Sequence, residues 1–388
     1  MSRILLDKLL ADSYARYQVL DHRGFHTHTA HHLASLHCLG ASDERLEQLG
    51  KIMCKENAPY EPSPHEITSA NWRQSLGDER FCKAYRDFFD QQLTTSGDKW
   101  CEKFLELLND HKPEPLINSL ISGLAHPLIH VGYALEFNSR EVASEALTLT
   151  AVGYNYHHEI IDKLKAPKAG SKSFQELFNN LRADDRLPLF DAPGVGNLEA
   201  TVKESADIVL SYFDQWQINT NNLEKTIEDL FDFSVYLYGA THKPDQIDFD
   251  FFLLHLLTSM HAIRMIYAHL NEQQLPENIL WQFFYIANMI YICQCRPKID
   301  KGLIDNYKID AGVKNWDYVI EKTVNTELAE DAHLVKVIRT LRDAEIAYGP
   351  KDGLYLKTAV KTVDNANIEN IWIGGPVNPR QLNILKRQ

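Results

Sequence analysis

Apolar residues recur along most of this chain at the spacing of a helix that buries one face. Ile4, Leu5, Leu9, Tyr14 and Tyr17 form such a stripe near the N-terminus. Asp43 to Met53 repeats it, and Ser42 stands where an N-cap is expected. The same period predicts helices over residues 80–92, 99–109, 140–164, 198–218, 223–238, 247–270, 275–295 and 332–346. Strand-like alternation is confined to the surroundings of Ile371-Trp372-Ile373. The pattern predicts an all-α fold, and the lack of any internal repeat argues against a regular solenoid.

Breaker residues punctuate the helices without dividing the chain. Residues 57–64 hold Pro59, Pro62 and Pro64 and read as a loop before a helix. Residues 165–172 and 184–197 read as loops too. Histidine motifs stand on both sides of them, so residues 1–388 are expected to form a single large multi-helix domain. Its motif-bearing core covers residues 20–340. Residues 349–388, with Gly353, Gly374, Gly375, Pro376 and Pro379, are expected to wrap it as an irregular C-terminal tail.

Composition narrows the function classes. Forty basic residues against fifty-three acidic ones give a formal charge of −13. That balance argues against a nucleic-acid surface, which needs a basic patch. Ile279 to Cys295 is the longest apolar stretch, but Gln282, Asn288 and Gln294 interrupt it. A buried core helix is expected there rather than a membrane span. The N-terminus mixes apolar and charged residues, unlike a signal peptide. The six cysteines show no C-x-x-C spacing and no disulfide framework, which suits a reduced, cytoplasmic setting.

Several chemistries lack their motifs. Gly194-Val-Gly196 has no third glycine and no strand before it, so no dinucleotide fingerprint supports NADPH binding. Walker A, G-x-S-x-G and H-E-x-x-H sequences are missing. One E-x-x-H occurs, Glu330-Asp331-Ala332-His333, where a ferritin-like di-iron bundle needs two.

Histidine is the residue left to explain. Seventeen occur, and they cluster. His26, His28, His31, His32 and His37 stand close together; His126 and His130 follow, one helical turn apart. His126 precedes Pro127, which a first helical turn tolerates. His255 lies in an apolar run and His333 stands three residues before Lys336. Neutral imidazole is the commonest metal ligand, and such sets suit iron, zinc, copper or nickel. Glu136 is a candidate for orienting a ligand histidine. His157-His158-Glu159 reads as solvated or as a supporting group. Tyr133, Phe137, Phe251, Phe252 and Trp281 are candidate pocket walls.

Five segments together resemble the questin oxidase family. They are residues 28–42, from His28-Thr-Ala-His31; residues 71–78, Asn-Trp-Arg-Gln-Ser-Leu-Gly-Asp, with 85–89; residues 126–137, from His126-Pro-Leu-Ile-His130; residues 248–259 around His255; and residues 331–339, Asp-Ala-His-Leu-Val-Lys-Val-Ile-Arg. They run in family order. The resemblance implies an oxidoreductase performing ring-opening oxygenation, of Baeyer–Villiger or dioxygenase type, on an anthraquinone or related aromatic substrate with dioxygen. It implies mononuclear non-haem Fe(II) held by several histidines and a carboxylated lysine, here Lys336. The metal ligands are then expected among His31, His126, His130, His255, His333 and Lys336, with His28 the alternative to His31. His28 and Lys336 are the candidate catalytic residues. Neither nucleic acid nor membrane is an expected partner, and the oligomeric state is open. Thr27 departs from the pattern, because fungal relatives often carry asparagine before the first histidine. The competing readings are a metal-free helical binding protein or scaffold, and a metal-dependent hydrolase.

Overall fold

Ser42 accepts a hydrogen bond from the Arg45 backbone N–H and opens helix Asp43–Met53, as its sequence predicts. Helices of this kind build nearly all of the fold. The computed structural model describes residues 3–375 apart from 111–113, 156, 166–169, 271–275, 311 and 370. Seventeen α-helices and two small two-stranded sheets occur among the described residues. One contiguous hydrophobic core runs from Leu6 to Ile371.

The central element is helix Phe251–His269. It is apolar all round, and 78% of its most apolar window is buried inside the fold. A helix hydrophobic on every side belongs in a core. It packs against helices Ser122–Glu136, Leu223–Gly239, Pro276–Cys293 and Ala332–Tyr348. Its approach to Ser122–Glu136 is unusually close. A Cβ at Gly132 would lie 2.6 Å from the Ala262 Cα, so only a hydrogen fits there.

The structure revises three expectations. Tyr17, expected in the first helix, opens strand Tyr17–Asp21, which pairs antiparallel with Asn57–Pro59 out of the Pro-rich segment. The helix expected over 140–164 divides into Arg140–Val152 and His157–Ile161, the first capped by Ser139 and ended at Gly153. The expected irregular tail contains helix Leu354–Asn365, whose Leu354, Tyr355, Thr358, Ala359, Thr362 and Val363 are buried. Those positions recur at helical spacing, but flanking glycines disguise the segment as a loop. Trp372–Ile373 forms the expected strand, parallel to Phe249–Asp250. Residues 376–388 lie outside the described residues.

Candidate metal centre

His126 owes its position to a distorted turn. Gly123, Leu124 and Ala125 all sit in the left-handed region, at φ 51°, 59° and 62°. That conformation costs roughly 1–2 kcal/mol for each residue bearing a Cβ. It lets regular helix begin at His126, with Pro127 in the first turn, where its missing N–H costs nothing. The turn also aims the Gly123 carbonyl at His126 Nδ1, 2.6 Å away. A Cβ at Gly123 would lie 2.0 Å from His26 Cε1, and the His26 ring stacks on His126 at 4.5 Å.

Three further helix beginnings converge on the same point. His28 is the N-cap residue of helix Thr29–Leu39, and its Nε2 stands 2.9 Å from His126 Nε2. His255 lies in the second turn of Phe251–His269, with Nδ1 2.7 Å from the Phe251 carbonyl. His333 lies in the first turn of Ala332–Tyr348, behind the N-cap Asp331. One ligand atom from each of His28, His126, His255 and His333 falls within 4.8 Å of all the others. Backbone carbonyls take the Nδ1 protons of His126 and His255, which leaves their Nε2 lone pairs turned inward. Nε2 of His255 and of His333 has no hydrogen-bond partner.

Lys336 lies near this group, close enough to act electrostatically on all four rings. It stands one turn after His333, is fully buried, and its Nζ has no hydrogen-bond partner. Desolvation drives its amine down to about 7, against the pull of Asp331. Desolvation likewise holds His28, His126, His255 and His333 well below their ordinary value, and Lys336 and neighbouring histidines add to it. Four neutral imidazoles beside a buried, readily neutralised amine form a nitrogen-rich donor set. Such a set fits iron or another transition metal and not magnesium or calcium.

The remaining candidates lie beside this centre. His31 and His130 pack ring to ring at 4.1 Å, and His31 is 6.1 Å from His28 between ring centroids. Neither belongs to the group of four; His28 stands there instead of His31. Tyr133 stacks on His31 at 4.8 Å, and Phe251 covers His255 and His333 at 5.0 and 4.6 Å. Phe137 stacks behind Tyr133, and Phe252 touches Phe251. Trp281 packs against Phe213 in a different aromatic cluster.

Two supporting assignments change. Glu136 orients none of the four rings. It bonds Arg339 and His261, forming with Asp343 a separate, partly buried ion network. His157 is buried against Tyr285 rather than solvated. Sequence reasoning missed Gly123, Asp331, Asp250 and Glu145, the last 4.0 Å from His130. Asp250 and Asp331 had a readable signal, since each immediately precedes a ligand-bearing helix.

Comparisons with known proteins identify the family. The family model described as questin oxidase-like matches residues 25–341. The chain is 24% identical over 353 residues to "Oxidoreductase AflY" of Aspergillus parasiticus, covering 85% of this chain and 70% of the relative. It is 21% identical over 360 residues to "Questin oxidase" of Aspergillus terreus, covering 84% and 76%. To "Baeyer-Villiger oxidase mdpL" of Emericella nidulans it is 22% identical over 386 residues, covering 90% and 85%. This chain belongs to the questin oxidase-like family and is an oxidoreductase.

Proposed function

We propose that this chain is a mononuclear non-haem iron oxygenase that cleaves a ring of a hydroxylated aromatic or quinone substrate. His28, His126, His255 and His333 hold the metal, and Lys336 contributes a carbamate oxygen. The observation that carries this reading is the convergence of four imidazoles near a fully buried amine that has no hydrogen-bond partner. A ligand would satisfy the unpartnered Nε2 atoms of His255 and His333 together. The relatives named questin oxidase and Baeyer–Villiger oxidase support the oxidative reaction and its substrate class.

The residues divide the work. Neutral Lys336 Nζ attacks the carbon of carbon dioxide; an N–C bond forms, a proton leaves to solvent, and a carboxylate remains. That anion supplies the negative oxygen donor that four neutral imidazoles lack. The Gly123 and Phe251 carbonyls keep His126 and His255 in the tautomer that presents Nε2. Phe251 keeps water away from the His255 and His333 rings. Bound iron supplies the redox chemistry toward dioxygen.

The test uses protein purified without a histidine tag. One iron per chain, with oxygen uptake on adding a hydroxyanthraquinone, is the expected result. Lys336→Ala should lose both together, and Lys336→Arg should fail as well, because guanidinium stays charged and cannot ligate. Unchanged metal content and oxygen uptake in Lys336→Ala would reject the carbamate. A metal-free, active wild type would reject the metal centre.

A further inference from the structure

Two helices carry three of the proposed ligands: Phe251–His269 carries His255, and Ala332–Tyr348 carries His333 and Lys336. Each begins at an aspartate. Asp250 accepts hydrogen bonds from the backbone N–H groups of Phe252 and Leu253 at 2.8 and 2.9 Å. Asp331 Oδ1 accepts one from Leu334 at 2.7 Å. One short piece of chain, far along the sequence, touches both.

That piece is residues 371–375. Trp372 and Ile373 pair in parallel with Phe249 and Asp250, directly before the first helix. The Trp372 indole N–H donates to Asp331 Oδ2 at 3.1 Å, on the cap of the second. Gly375 runs close against the helix start, and Gly374 is closed in by the Gln294 amide, whose Oε1 would lie 2.2 Å from a Cβ there. A Cβ on Gly374 would lie 3.1 Å from Asp250 Oδ2, and one on Gly375 would lie 2.6 Å from Phe251 Cγ. Phe251 is therefore held between Gly375 on one side and the rings of His255 and His333 on the other.

From this geometry we propose that the C-terminal strap, residues 371–375, positions the metal centre. It fixes the two ligand-bearing helices against each other and presses Phe251 over the ligands as the door through which metal enters and leaves. The inference rests on the metal centre proposed above. Trp372, Gly374 and Gly375 touch no ligand atom and act through Asp331, Asp250 and Phe251. A strap of this kind alters the rate of metal exchange more than the number of metals bound. The helix ends reach the same geometry once the strap has docked again.

Cobalt(II) loaded into the full chain is the probe, because its visible spectrum reports coordination directly. Release to an excess of chelator is followed in wild type, Trp372→Phe and Gly375→Ala. Trp372→Phe keeps an aromatic six-membered ring but removes the pyrrole half of the indole with its hydrogen bond to a carboxylate, so release should quicken roughly tenfold. Gly375→Ala should act in the same direction through Phe251. The wild-type cobalt spectrum and stoichiometry should be kept in both. Tyr85→Phe serves as the control, since it removes a buried hydrogen bond to the Trp72 carbonyl, 2.5 Å long, outside the strap and both ligand-bearing helices. Its release rate should match wild type. Unchanged release in the two strap variants would overturn the proposal, as would equal acceleration in Tyr85→Phe, which would make general loosening the cause. A wild type that binds no cobalt would instead overturn the metal centre, and the strap's role with it.

Discussion

Nε2 of His28 and Nε2 of His126 stand 2.9 Å apart, although Nδ1 of His126 is already committed to the Gly123 carbonyl at 2.6 Å. With its only proton on Nδ1, His126 turns a lone pair toward His28. The two rings share either one proton or one cation. His126→Ala should therefore weaken metal binding by more than about a hundredfold, beyond the 10–100-fold typical of supporting partners. His26→Ala removes a stacked ring and not a ligand, and should cost about tenfold or less. Chelator competition measures both. Equal losses would mean that His126 acts through packing alone.

Gly123 offers a sharper test of the turn that makes this pairing. Its φ is +51°, and a Cβ would lie 2.0 Å from His26. Gly24 has φ +80° and nothing within 4 Å of the same position. Gly24→Ala should cost about 1 kcal/mol for the left-handed backbone alone. Gly123→Ala should cost at least about 2 kcal/mol more, because overpacking adds to the strain. Denaturant unfolding of both variants measures the gap, and equal costs would refute the steric account.

The helices that carry His126 and His255 approach closely where Gly132 meets Ala262. Gly132→Ala should destabilise the fold by about 1–3 kcal/mol through overpacking. Ala262→Gly removes the methyl group that the new Cβ would strike at 2.6 Å, although the Ala262 Cα stays equally near. The double variant should recover part of the loss. A double-mutant cycle showing no coupling would mean that the helices separate freely at this point.

Much of this architecture was legible in the sequence, and the misreadings have physical causes. Helical periodicity exposed the long amphipathic elements because a buried stripe leaves a strong signal. Helix Leu354–Asn365 was missed because Gly349, Gly353 and the later glycines and prolines mark its surroundings as loop. Strand Tyr17–Asp21 follows the first helix without a break, so Tyr17 reads as part of the helical stripe. Within the site, sequence spacing could not decide between His28 and His31. The two stand one turn apart in the same histidine-rich segment, and His28, at the N-cap, is the one beside His126. The strap was invisible, because nothing local tells Trp372 that its partner is Asp331.

Acid should unfold the metal-free chain sooner than its composition suggests. Burial lowers His26, His32 and His157 to about 4, and lowers His130, with His26 adding to it, to about 3. Above pH 6.5 these rings are neutral in both states and stability is complete. Below it the unfolded chain takes up protons that the folded chain refuses, so stability falls until the folded values are reached. At pH 5 each ring costs up to about 2 kcal/mol. Glu145 and Asp250, raised by desolvation to about 8 and about 7, change in the opposite sense. Asp331, raised by desolvation as well, adds to them, but three carboxyls do not offset the larger set of histidines. Thermal unfolding of the metal-free protein should fall steeply between pH 6.5 and 5, and a flat profile would contradict the buried, neutral state of these rings.

The central claim is a single metal held by His28, His126, His255, His333 and a carboxylated Lys336. Anomalous diffraction at the iron edge, from crystals of iron-loaded protein grown with bicarbonate, tests it most directly. The account predicts one strong peak among the four Nε2 atoms, with carboxylate density extending Lys336 Nζ to the same peak. A peak elsewhere, or a vacant centre with Lys336 unmodified, would contradict it.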